Sequence, residues 1–443
     1  MNVRLTDGTT TVDLNKTSPV QGATYFPSPP DATPDGWAEE VSETCEVLLI
    51  GTATAIRATV NSIERLFESA RQRQRSGSGA RLYVEYEAVT GDTYYRSEIL
   101  YGRLAWAENP AARRLSDTTP RVQVAIHWTR RHFWEGALTA IALTSSANAS
   151  PVTTPVTLYS NDDATPAATN WIGIANTQIT GTLPAPIKLK LAQADATGRA
   201  WRTFWLANNV YSDPTGMDPF LLGSEEDGGG ASPETSTWAT AIDHSQYDWI
   251  WEIPAAQLAD LAGRYWRILT TFSATDGAGW YVRADIAAAS GGVYQTLWEG
   301  DEVYVTSTGL YDLGALPIPP GGYDVGAGNI ALIMTVRAAG AGNGTVDFVQ
   351  FTPTQPGMLR KITQLGFTTA QNDLLVDDGP EGLCYYEDGS TGAHYLIMRG
   401  ENEPLYIWPG ITQRLRVLVA GSTWTAGWSL TAQAWFRPRT LTV

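Results

Sequence analysis

The chain has 443 residues, of which only 17% are charged and 10% aromatic, with 42 glycines and 17 tryptophans. This composition can bury a core and excludes an intrinsically disordered chain; the length is that of about three domains of ~150 residues. The balance of 30 Lys+Arg against 46 Asp+Glu gives a net charge of −16, which disfavours binding to nucleic acid or to an anionic membrane.

The charge is uneven. Residues 1–145 carry 15 cations and 17 anions, residues 146–443 carry 15 and 29. The first third is therefore suited to contact with other protein, and the rest to solvent. No apolar run approaches ~18 residues, so no membrane insertion is expected. The opening Met1-Asn2-Val3-Arg4 has no apolar segment of a secretory signal. Cys45 and Cys384 are too few for a disulfide framework and read as reduced core residues.

Residues 1–44 read as an arm. Val3–Thr6 and Thr11–Leu14 alternate about Asp7-Gly8, a hairpin signal, and Tyr25-Phe26-Pro27-Ser28-Pro29-Pro30 is too Pro-rich for a ladder strand. Such an arm is ordered by lying on its own domain or on a neighbouring subunit. A long helix follows over 54–75, capped by Thr54. Ile56, Val60, Ile63, Leu66, Phe67 and Ala70 form one apolar stripe. Strands surround it: Cys45–Ile50, Arg81–Glu87, Tyr94–Trp106 with a bulge at Gly102, and Val122–Trp128, which runs into Arg130-Arg131-His132-Phe133-Trp134-Glu135. The first domain, 1–148, is expected to be a β-sandwich with one packed helix.

Residues 144–170 have linker composition. The section 149–357 then reads as an antiparallel jelly roll, with short strands such as Ile187–Leu191, Arg202–Ala207, Tyr265–Phe272, Gly279–Ala284, Ile330–Val336 and Val346–Phe351. Glu225–Gly230 reads as a solvated loop. Residues 358–443 read as a C-terminal β-sandwich. The fold class expected is mainly β: multi-domain antiparallel β-sandwiches, the first with one packed amphipathic helix and the middle one a jelly roll.

Chemistry-bearing patterns are sparse. The four histidines, His127, His132, His244 and His394, have no zinc spacing, and there is no nucleophile elbow or phosphate loop. Glu299, Asp301 and Glu302 are close in sequence and Asp377 and Asp378 are adjacent; since neighbours on a strand point to opposite faces and acid clusters in Gly-rich turns read as solvated loops, neither set reads as a glycosidase pair. No catalytic residue and no cofactor are expected. Asp347 lies in the apolar strand Val346–Phe351 and needs a partner if it points inward: Arg283 or another arginine, a backbone amide, or a structural calcium ion. Trp249 and Trp251 share one face of their strand and serve either as core or as a glycan-binding platform.

The order of these features resembles the tail structural proteins of long-tailed bacteriophages, the tail-tube and distal-tail group. The residues that carry this are the hairpin arm, the strand after Glu43-Thr44-Cys45, the single helix, Tyr94-Tyr95-Arg96-Ser97-Glu98-Ile99 and the basic-aromatic strand end Thr129–Glu135. Trp408-Pro409-Gly410 with Trp435-Phe436-Arg437-Pro438-Arg439 looks like the closing strand of minor tail proteins, and the middle section like an inserted carbohydrate-binding jelly roll.

The resemblance implies a non-enzymatic virion component made in the host cytoplasm and placed near the tail tip. It would assemble as a homo-oligomeric ring through residues 1–148, contact the tube, hub and tip proteins, and present outer β domains to host surface glycans. Arg113, Arg114, Arg130, Arg131, Phe133 and Trp134 are the candidates for the subunit interface, where the arginines meet acids of a neighbour or, failing that, are solvated or paired within their own domain. A carbohydrate-binding adhesin and a capsid decoration protein are the competing readings, followed by a polysaccharide-degrading enzyme.

Overall fold

In a computed structural model of the chain, the described residues are 2–15, 19–33, 36–76, 80–89, 91, 93–106, 121–159, 171–194, 201–209, 221–222, 246–253, 258, 261–274, 279–290, 293–307, 309–319, 329–338, 345–364, 370–396, 398–421 and 429–443. They are mostly β-strands in antiparallel sheets with one long helix, the fold class read from the sequence. The chain divides into two compact units. One holds residues 1–139, 180–183 and 437–443; the other holds 140–179 and 184–436.

The first unit contains β1 (Asn2–Thr6), β2 (Thr11–Asp13), β3 (Val20–Thr24), the short pair β4 (Ala32–Thr33) and β5 (Gly36–Trp37), β6 (Glu40–Ile50), α1 (Ala53–Ser76), β7 (Leu82–Glu87), β8 (Tyr95–Trp106), β9 (Arg121–Arg131) and β10 (Trp134–Glu135). Its main sheet runs β2-β1-β7-β8-β9-β6-β3. A flat sheet would hold its outermost strands roughly 29 Å apart, six spacings of ~4.8 Å. The seven residue steps from Asp13 to Val20 span at most ~25 Å. The sheet must therefore curl, and Val12, Leu14 and Val20 from its two ends are buried in one core with α1.

The arm accordingly belongs to its own unit: β1 pairs with β7, and Val3, Leu5 and Tyr25 are core residues. The turn is the expected one, with Gly8 at φ 86° and Asp7 Oδ1 accepting from the amides of Thr9 and Thr10. All six residues of the predicted helical stripe are buried. The cap is Thr52 and not Thr54, since Thr52 Oγ1 accepts from Ala55 N at 3.2 Å. The bulge in β8 falls between Ile99 and Tyr101, not at Gly102. Gly102 serves the helix instead: a Cβ there would stand 2.1 Å from the Phe67 ring. The terminal strand Arg439–Thr440 pairs with β10.

The second unit corrects the expected boundaries. Residues 149–209 do not share sheets with the section that follows them; they pair with 359–436. Numbering eight strands as first to eighth (Val156–Tyr159, Trp171–Ile174, Ala185–Gln193, Trp201–Asn209, Leu359–Gln364, Leu374–Asp378, Gln413–Gly421 and Ser429–Phe436), one sheet runs first-eighth-third-sixth and the other second-seventh-fourth-fifth. That is the interleaved order of a jelly roll. Val156–Tyr159 lies within the stretch read as a linker, and Leu143 and Thr144 bridge to Val152 and Gly173. Ile187, Leu189, Phe204, Val417 and Phe436 are among the side chains of its core.

Between the fourth and fifth of those strands the chain builds a second sandwich. Its sheets are Leu221–Leu222, Thr345–Pro353, Arg264–Ala274, Gly309–Ile318, and Gln246–Ile253, Asn329–Ala338, Trp280–Ser290, Val293–Glu299. Taken in chain order these again read first-eighth-third-sixth and second-seventh-fourth-fifth. The expected jelly roll is present, but it spans 221–353 and is inserted into another of the same topology. Trp266, Trp280, Ile286 and Phe351 are in its core. Leu269 and Leu310 from the inserted roll pack with Trp205, Ala207, Leu359 and Leu418 of the host roll.

Candidate functional site

Two of the longest strands, β6 and β9, build the most developed polar site. Each alternates strictly between buried and outward positions. In β6, Glu43 has the parity of Cys45, Val47 and Leu49 and points inward; in β9, Trp128 and Arg130 continue the inward series of Val122, Val124 and Ile126. Ser42, Thr44, His127 and Thr129 take the opposite parity.

The inward residues form a buried network. Glu43 Oε2 accepts from Tyr25 Oη at 2.6 Å, Trp128 Nε1 at 3.0 Å and Arg130 Nε at 2.9 Å; Oε1 accepts from Ser28 N and Arg130 Nη2, both at 2.7 Å. Arg130 also donates to the carbonyls of Arg131 and Ser28 at 2.8 Å, and its guanidinium lies 4.4 Å from the centre of the Trp134 ring. The charge pair is thus satisfied on every side, the condition under which a buried ion pair is tolerated. It also fastens the Pro-rich segment 25–28 to the sheet. Burial pushes the Tyr25 hydroxyl well above the usual tyrosine range, and the Glu43 carboxylate adds to this.

On the outward side, the register places Tyr101, Thr129 and Ser42 in one row across three strands, and Arg103, His127 and Thr44 in the next. Ser42 Oγ and Thr129 Oγ1 are 3.2 Å apart, and Thr44 Oγ1 is 2.8 Å from His127 Nδ1. These residues, with Arg71 from α1, line a cleft of about 500 Å³. Arg71 is engaged with Glu68 at 2.6 Å, whereas no partner of Arg103 is found among the described residues. Thr44 and His127 form a hydroxyl–imidazole pair, but among the described residues no carboxylate orients the ring as a nucleophile's base requires.

The six interface candidates separate. Arg130 and Trp134 are fully buried within their own unit, so they cannot present themselves to a neighbour. Arg131 remains on the surface, 3.7 Å from Glu98. Phe133 is partly covered by the chain's own end, with the Arg439 guanidinium 3.8 Å from its ring centre. Both arginines thus take the partner within their own domain. Arg113 and Arg114 lie outside the described residues, as does the 225–230 loop.

For the other candidates, Asp347 falls at an irregularity of its strand, between Val346 opposite Phe272 and Phe348 opposite Thr271. Its side chain lies outside the described ones. Among the described residues no group of three or more His, Cys, Asp or Glu is placed to hold a metal. Arg283 is taken by Asp285 at 2.8 Å. The backbones of Trp249 and Trp251 sit opposite Met334 and Leu332, both core residues of the inserted roll; the two indoles are outside the described side chains. Asp377 pairs with Arg360 at 3.0 Å and Asp378 with Lys188, so the adjacent acids serve separate partners. Burial raises the Asp377 carboxyl, against the lowering effect of Arg360. Both thiols are free and pushed up to about 12 by burial.

Sequence reasoning missed Glu43 as a partner for Arg130 and missed the cleft. The signal for the first was parity: both residues fall on the inward phase of strands whose other inward positions are apolar.

No protein-family model matches the chain, and no curated protein matches it. Two solved structures of infectious bursal disease virus align at 8% identity. The Gt strain structure covers 58% of this chain and 67% of its own with a TM-score of 0.13, and the Gx strain structure 69% and 81% with 0.12. Scores this low establish neither a common fold nor a common role.

Proposed function

We propose that the chain is a non-enzymatic structural component of a virion, positioned in a bacteriophage tail near its tip. In this reading the first unit assembles with copies of itself into a ring and meets the tube, hub and tip proteins. The nested jelly rolls form the outer decoration and contact host glycans. The observation that supports it most is the jelly roll inserted in a jelly roll, since this topology is used by virion shell and lectin domains.

The first unit adds a physical argument. Its sheet ends in two unlike strands, β2 and β3, each paired on one side only among the described residues. Unlike edges on one body favour head-to-tail contacts, which close into rings when the rotation permits. The near-neutral charge of 1–145 tolerates such packing, and the acidic remainder keeps a crowded assembly soluble.

A glycan-binding adhesin draws on the same topology. Electron microscopy of purified phage particles decorated with a gold-labelled antibody against this chain separates the two. Label at the tail tip is expected; label on the head alone, or particles that lack the chain, overturns the assignment.

A further inference from the structure

We propose that the cleft over β6, β9 and β8 is a binding site for a carboxylate-bearing sugar, a uronic or sialic acid unit of a polysaccharide. The proposal concerns the first unit and does not depend on the tail assignment.

The cleft has the volume of a small-ligand site, about 500 Å³. Its walls match three parts of an acidic sugar at once. Tyr101 is 52% exposed at one end of its row and offers a flat apolar ring to the C–H face of a pyranose. Ser42, Thr129 and Thr44 supply hydroxyls that both donate and accept, as sugar hydroxyls require. His127 is held through Nδ1 by Thr44, and its Nε2 has no partner among the described residues.

Arg103 supplies the discriminating element. It stands beside His127 in the register, exposed, with no counter-ion among the described residues. Its planar fork suits a carboxylate better than a neutral hydroxyl. Of the acids nearby, Glu43 lies beneath with both oxygens accepting from buried donors and Glu68 is bound to Arg71; Glu64 shares an adjoining hollow with Arg103 but makes no ion pair with it among the described residues.

The site is also pre-organised. Ser42, Thr44, His127 and Thr129 alternate with Glu43, Trp128 and Arg130, so the buried network that fixes those three fixes the two strand segments presenting these four groups. The ordering left to binding is then mainly that of the exposed Tyr101 and Arg103 side chains on β8.

The test is titration calorimetry on the full chain with three probes: trigalacturonate, a glucuronate disaccharide and sialyllactose. Fully methyl-esterified trigalacturonate serves as the uncharged control and sodium sulfate as the bare anion. At least one acidic sugar is expected to bind, with its ester at least tenfold weaker. Arg103→Ala and Tyr101→Ala should each weaken binding at least tenfold at unchanged melting temperature, and Arg103→Gln should do the same if the alanine variant folds poorly. The proposal is overturned if none of the three sugars binds, if acid and ester bind equally, or if equimolar sulfate displaces the sugar. It fails likewise if Arg103→Ala alters the oligomeric mass while no sugar binds, because the cleft then seats an acidic side chain of another copy.

Discussion

Replacing Glu43 by Gln tests the buried network directly. The carboxylate accepts three hydrogen bonds on Oε2 and two on Oε1. Whichever way the amide is turned, its NH₂ group faces at least two donors, so at least two bonds are lost. The charge is lost as well, leaving Arg130 fully buried without its counter-ion. Breaking a buried pair on one side costs about 3–5 kcal/mol. For a body of this size, ~1 kcal/mol moves the melting temperature by roughly 2–4 °C, so the first unit should melt roughly 6–20 °C lower. Differential scanning calorimetry of the full chain reads the shift, and hydrogen exchange should place the lost protection in residues 25–28 and 40–50. Arg130→Met should cost a similar amount. The double variant should cost less than the two singles together but not return to wild type, since the amide oxygen accepts on one side only and leaves either Ser28 N or Tyr25 Oη with Trp128 Nε1 without an acceptor, at ~1–3 kcal/mol each. A Glu43→Gln shift below about 1 kcal/mol would refute the reasoning.

Three further outcomes are expected. Gly102→Ala should destabilise the first unit by about 1–3 kcal/mol through its clash with Phe67, and Phe67→Leu should relieve part of that cost; additive effects in calorimetry would argue against the contact. Burial holds the His132 imidazole below its ordinary value, so as pH falls through ~6.5 the unfolded chain takes up the proton first and stability declines; His132→Gln should flatten the fall in melting temperature between pH 7 and pH 5 relative to wild type, and an unchanged slope would contradict this. Exchanging residues 210–358 for a short Gly-rich turn should leave the host jelly roll folded with a single cooperative transition by circular dichroism, because Ala207 and Leu359 are direct register partners. Its solubility should drop, since Leu269 and Leu310 no longer cover Trp205 and Leu418. Loss of cooperativity would mean that the two rolls are not separable.

Local pattern made the elements of this chain readable. The stripe Ile56, Val60, Ile63, Leu66, Phe67 and Ala70 gave the helix and its buried face, and alternation located β6, β7 and β9. Pairing was not readable. Leu189 meets Asp377 on one side and Ala434 on the other, partners close to two hundred residues away or more, and alternation states a face without naming a neighbour. The host roll therefore looked like the start of one domain and the whole of another, with an insertion hidden between Asn209 and Leu359. The site was half readable. Parity already turned Arg130 inward and Arg131 outward, but a basic-aromatic run reads as surface when composition is weighed ahead of phase. The convergence of Tyr101, Arg103, His127 and Ser42 depends on the register of three strands joined by long connections, which spacing within the sequence does not encode.

The claim that the chain is a self-assembling building block is tested most directly by its mass in solution. Native mass spectrometry of the purified full chain, with negative-stain electron microscopy of the same sample, should give one closed oligomer that appears as a ring and whose copy number does not grow with concentration. A chain that stays monomeric over the micromolar range, alone and with the other tail proteins, would contradict the account.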